Sequence, residues 1–154
     1  DHRRARPRGG AAGSARVMDT GPFAVLVGKT ITSAHLAEIA DSAYAETHVV
    51  ISTTEGLYVF GAQGDCCANA YFAGATGAEA LRGEVLATDQ SDGETETAEY
   101  GDETDHCFHT ITTMRGRCTL ELRTEHNGYY SGWVDYREGA EANLGTLRAL
   151  EDFS

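Results

Sequence analysis

Short runs of alternating apolar and polar residues, most closed by glycine, recur along the chain and predict strands more often than helices. Residues 47–53, around Val49, Val50 and Ile51, and residues 57–62, around Tyr58, Val59 and Phe60, flank Glu55-Gly56. They predict a hairpin in which glycine supplies the positive φ of the turn. Residues 25–39 are rich in β-branched and aliphatic side chains and predict an earlier strand; residues 84–88 predict another. Residues 37–45 read as a short helical turn or loop, 66–72 as a helical turn or short strand, and 75–81 as one helical turn before Gly83.

The alternation is clearest in the second half. A two-residue Arg115-Gly116 turn would pair Thr113 with Cys118, Ile111 with Leu120 and His109 with Leu122. One face then carries Cys107, His109, Ile111, Thr113, Cys118, Leu120 and Leu122, and the period of two turns that face inward. The other face carries His106, Phe108, Thr110 and Thr112 against Arg117, Thr119, Glu121 and Arg123. Asn127-Gly128 predicts a further, bulged hairpin that aligns Leu120 with Val134 and spares Asp135 from burial. Leu144, Leu147 and Leu150 at helical spacing predict a short C-terminal helix over 138–153, weakened by Gly139 and Gly145. The expected fold is α+β: a twisted, mainly antiparallel sheet or partly open barrel with one or two short helices.

A chain of 154 residues suffices for one domain with its own core, expected over 19–154. Its net charge of −12 is uneven: five arginines against Asp1 and Asp19 give residues 1–20 a charge of +3, leaving −15 on the rest. So acidic a body excludes nucleic acid as a partner and favours solubility. Apolar stretches are too short to cross a membrane, so a cytoplasmic location is expected. Residues 1–18 offer almost nothing to bury and read as a disordered or non-native extension, with Met18 as the natural start. Residues 89–105 hold eight acidic side chains, no basic one, and a single aromatic, Tyr100. Such a segment reads as a mobile surface loop.

Four cysteines without a secretory signal point to free thiols in a reducing compartment. Cys66, Cys67, Cys107, His109 and Cys118 offer the donor types that suit zinc, and a thiol nucleophile served by His109 or His106 uses the same ingredients. No CxxC pair is present, and cysteine is commonly a small buried hydrophobe. Gly28-Lys29-Thr30 lacks the upstream glycine of a phosphate-binding loop, since position 23 is Phe. Asn127, Tyr129, Tyr130 and Trp133 gather aromatic area beside a tight turn, the composition of a binding surface.

Three motifs, in order, carry a resemblance: Gly28-Lys29-Thr30-Ile31, Asp65-Cys66-Cys67, and Asn127-Gly128-Tyr129-Tyr130-Ser131 followed by Val134-Asp135-Tyr136. Over about residues 26–137 the chain resembles a family of small proteins of bacteriophages and their bacterial hosts, defined only as a domain of unknown function. It departs from that pattern by the acidic insert and by His126, where a small residue is expected. The resemblance implies a compact sheet-rich domain, often phage-borne, and supplies no reaction. The expected function is a non-enzymatic binding module, a phage or prophage accessory protein engaging a host protein or small ligand. The alternatives are a thiol- or zinc-dependent enzyme built on Cys66, Cys67 and His109, and a small virion or assembly component.

Overall fold

A computed structural model describes residues 21–39, 46–128, 130–139 and 144–153. Among these residues it contains ten strands: β1 (Thr30–Ile39), β2 (Glu46–Thr53), β3 (Gly56–Gly64), β4 (Asn69–Thr76), β5 (Gly83–Asp92), β6 (Glu96–Thr97), β7 (Glu103–Thr113), β8 (Gly116–His126), β9 (Gly132–Glu138) and β10 (Thr146–Ala149). The main path runs β4-β8-β7-β5-β1-β2-β3-β9, with β10 beside β1 and β6 beside β7. Every pairing is antiparallel. The end strands β4 and β9 are not paired with each other, so the sheet is open.

A narrow seam divides the path. β1 meets β5 only through Thr30 opposite Glu84 and Ile31 opposite Gly83. The four strands on each side share one buried cluster, Phe72, Ile111, Leu120 and Leu122 from one half and Leu36, Val49, Ile51 and Phe60 from the other. Phe23 lies between them, stacked on Phe60 with ring centroids 4.1 Å apart and tilted against His109 at 5.4 Å. Residues 47–51 and 58–61 are buried without interruption, which explains why β2 and β3 read as continuous apolar runs rather than alternating ones.

The sheet-rich expectation stands, but the helices do not. Among the described residues the helical elements are 3₁₀ turns at Pro22–Leu26, Ala78–Ala80 and Leu150–Asp152. The predicted C-terminal helix is instead the end of β9, then β10 and a turn. Gly139 and Gly145 both have positive φ, 108° and 74°, and break any helix there. Of the three leucines only Leu150 is buried, while Leu147 is 47% exposed, so their spacing never marked a single apolar face. At the other end, Pro22 starts a 3₁₀ turn and the strand begins at Thr30, five residues later than expected. The predicted turn over 37–45 ends as strand to Ile39; residues 40–45 lie outside the described residues, as do 1–20.

The hairpins predicted at Gly56 and Gly116 exist, but in each the glycine sits one place later than a turn position. Thr53 pairs with Gly56 and Thr113 with Gly116, so the turns are Thr54-Glu55 and Met114-Arg115. In each, the threonine Oγ1 accepts the N–H of the residue two places on, at 3.0 Å. The β7–β8 register is therefore shifted by two: His109 faces Leu120, Ile111 faces Cys118 and Cys107 faces Leu122. An even shift keeps every side chain on its face, so His109, Ile111, Thr113, Cys118, Leu120 and Leu122 are buried as expected.

The predicted β8–β9 hairpin does not form. The free side of β8 is taken by β4, with Phe72 opposite Leu122 and Ala75 opposite Leu120. β9 crosses instead to β3, placing Asp135 opposite Gly61 and Val134 opposite Ala62. Val134 is buried and Asp135 exposed, which is the outcome the bulged register was invoked to secure.

The acidic segment is not one loop. Asp89–Asp92 belong to β5 and Glu103–Asp105 to β7, and Glu96-Thr97 form β6. The ladder needs only backbone groups, and Gly93 N–H donates to the His106 carbonyl at 2.8 Å while the acidic side chains of residues 89–102 stay exposed. No described helix is long and apolar enough to cross a membrane.

Candidate functional site

β3 and β9 run out together at Gly64 opposite Gly132. Beyond that pair, the chain on each side does something specific. Asp65 opens a β-turn in which its carbonyl accepts the Ala68 N–H at 2.9 Å, leaving Cys66 and Cys67 as the central residues. Both are exposed. Asp65 N–H donates to the Ser131 carbonyl at 3.0 Å, and its carboxylate Oδ2 accepts Ser131 N–H at 2.9 Å and Ser131 Oγ–H at 3.3 Å. Two motifs 66 positions apart are thus fastened into one surface.

The Cys66 and Cys67 sulfurs are 3.4 Å apart. Half-buried Tyr130 lies near enough for its hydroxyl and the two thiols to influence one another. The hydrogen bond that Cys66 shares with Cys67 and the charge a Cys67 thiolate would carry push the Cys66 thiol up, with Asp65 adding to it and the Tyr130 hydroxyl acting against it. Charge on Cys67 and Cys66 likewise pushes Tyr130 up. Cys66 and Tyr130 therefore stay protonated at neutral pH, which leaves Cys66 poorly set to act as a standing thiolate nucleophile.

The remaining sequence candidates lie elsewhere. Asn127 is exposed at the turn after β8, and Trp133, half-buried on β9, pairs with Gln63 on β3. Tyr129 lies outside the described residues. Cys107, His109 and Cys118 are on the inner face of β7 and β8, where burial pushes Cys107 up to about 11 and Cys118 up to about 12. Burial pushes His109 down to about 4. Cys107 Sγ and His109 Nε2 are 3.7 Å apart, so they meet as a neutral thiol and a neutral imidazole, not as an ion pair. The five residues proposed as a thiol cluster do not converge: two occupy an exposed turn and three the sheet interior.

One grouping escaped sequence reasoning. Among the described residues, Glu103, Asp105 and His126 bring donor atoms within 4.8 Å of one another. Gly128 N–H donates to His126 Nδ1 at 2.9 Å, so the proton of the neutral ring is on Nε2, where it donates to Asp105 Oδ2 at 2.8 Å. A cation would need that same nitrogen's lone pair. The cluster serves as an anchor: β7 holds His126, and His126 holds the Asn127-Gly128 turn that leads to Tyr130. The sequence signal was present in His126 itself, the departure from the small residue expected there.

Gly132 is the close approach that makes the junction possible. A Cβ there would collide with Thr124 Oγ1 and lie 2.9 Å from the Ala70 Cβ and 3.0 Å from Thr124 Cγ2. Gly132→Ala should cost about 1–3 kcal/mol by overpacking. Urea unfolding measures it, and because Gly132 is not among the positive-φ glycines the loss reports the collision rather than backbone strain.

No curated protein and no solved structure matches the chain. The model of one family matches residues 24–136, which takes in the β3–β4 turn and the Tyr130–Ser131 segment together, and the chain belongs to that family, described as a domain of unknown function (DUF7448).

Proposed function

We propose that the chain is a non-enzymatic binding module whose contact face is the junction of the Asp65–Ala68 turn with Tyr130 and Ser131. One observation carries this reading. Two separate motifs converge through Asp65 and Ser131 to present paired thiols and a phenol on a restrained, exposed turn. Restraint at both ends lowers the entropy that a ligand must remove, which is what a binding face needs. The exposed Cys66 and Cys67 and the buried His109 that a catalytic reading requires lie apart, and the imidazole is held neutral inside the sheet. The resemblance to phage-borne proteins makes a host protein or a small ligand the class of occupant, in a cellular compartment where thiols stay reduced.

A photo-crosslinking residue at Asn127, exposed beside the face, should give a discrete adduct in extract from producing cells. The same residue at Met114, 81% exposed on the β7–β8 turn, should not. Tyr130→Ala should remove the Asn127 adduct while the circular dichroism of the sheet persists. Adducts that are the same from both positions, or that survive Tyr130→Ala, would overturn the assignment of this face.

A further inference from the structure

We propose that Cys66 and Cys67 form a chelating dithiol that takes one thiophilic centre, a soft divalent cation or a trivalent arsenical, at the tip of the Asp65–Ala68 turn with the Tyr130 hydroxyl beside it. This rests on the same contact face and names its ligand class.

Distances decide between the two things that neighbouring thiols can do. A disulfide needs sulfurs at about 2.05 Å and Cα atoms about 4.4–6.8 Å apart. Adjacent residues have Cα atoms only about 3.8 Å apart. Closing the bond would therefore distort the turn that Asp65 and Ala68 hold at 2.9 Å. A single atom bridging two sulfurs asks for much less. Two thiolates at about 2.3 Å on a tetrahedral ion sit about 3.8 Å apart, and the sulfurs already stand at 3.4 Å. Both point from an exposed turn, so a ligand reaches them without opening the core. Asp65 does not compete for the centre, because its carboxylate is engaged by Ser131.

The chemistry balances without an oxidant. With phenylarsine oxide, two S–H bonds break and two As–S bonds form, the arsenic stays trivalent, and its oxygen leaves with both protons as water. With Cd²⁺, the two thiols release their protons to solvent as the two S–Cd bonds form. The second bond in either case is intramolecular, which strengthens binding by roughly 10²–10⁴ over a single thiol.

Phenylarsine oxide and Cd²⁺ are the probes, applied to the reduced full chain. One arsenical per chain should add, with loss of one water in the intact mass and disappearance of two titratable thiols. Cys107 and Cys118 should become titratable only on unfolding, since the first is half-buried and the second fully buried. Cys66→Ser and Cys67→Ser, both at exposed positions, should each weaken binding of either probe by about 100-fold or more. Displacement of the arsenical by Cd²⁺ would assign the site to divalent cations; resistance to it would assign the site to trivalent centres. Two arsenicals per chain, no adduct on the folded protein, or single-cysteine variants that bind as tightly as the parent would each overturn the chelate. A specific Asn127 crosslink that stands while chelation fails would overturn this ligand class alone and leave the contact face in place.

Discussion

Phe23→Ala should remove about 3–5 kcal/mol of folding stability, a large share of the roughly 5–15 kcal/mol that a domain possesses. Phe23 is 1% exposed. Its ring lies between the two halves of the sheet, face to face with Phe60 on β3 at an interplanar angle of 23° and against His109 on β7. Among the described residues the β1–β5 ladder is confined to Thr30–Ile31 with Gly83–Glu84, extended by backbone hydrogen bonds of Gly28 and Lys29 with Val85, so side-chain packing across the core must supply much of their cohesion. Deleting the ring opens a cavity at the place where neither half can collapse onto the other without moving the seam. Urea unfolding with an unchanged denaturant slope would report the loss directly. Tyr100→Ala, at a side chain 89% exposed, should stay within about 0.5 kcal/mol. A cost below about 1 kcal/mol for Phe23→Ala would mean that Phe23 does not bridge the halves.

Phe23 also shows where sequence reasoning ran out. Pattern arguments read faces well: the inward set on β7 and β8 was legible because a period of two survives any even shift of register. They read partners poorly. Nothing in residues 116–138 says that β4 will take the second side of β8, so Asn127-Gly128 looked like a hairpin and was a crossing between sheet halves. The acidic run failed for a related reason. Charge density measures what side chains can bury, whereas Asp89–Asp92 are held by backbone pairing to β7 and Glu103–Asp105 by backbone pairing to β8. Helical spacing of leucines misled because no long-range pairing, such as Arg148 opposite Leu36, can be seen in a local window. For the candidate site, both motifs were visible and their meeting was not. Asp65 and Ser131 become partners only because β3 and β9 end at the same level.

Between pH 7.5 and pH 4.5 the protein should lose about 2–3 kcal/mol of stability through His109 alone. Burial beside Phe23 and Cys107 lowers the folded-state value from 6.5 to about 4. In that window the unfolded chain binds a proton at this position and the folded chain does not, so stability rises with pH. The contribution is fully present above 6.5 and drains away as pH falls towards 4. Carboxylates held low in the folded state, such as Glu121 beside Arg123 and His106, act in the same direction but mainly at lower pH. Comparing the parent with His109→Phe isolates the imidazole, because only the parent carries the proton deficit. Urea midpoints measured at half-unit steps should converge as pH drops, with the parent losing ground to the variant. Parallel curves would place the ring in contact with water. The same titration tests the bridge argued for Phe23, since Phe23→Ala lets water reach the imidazole and should flatten the pH dependence along with lowering the stability.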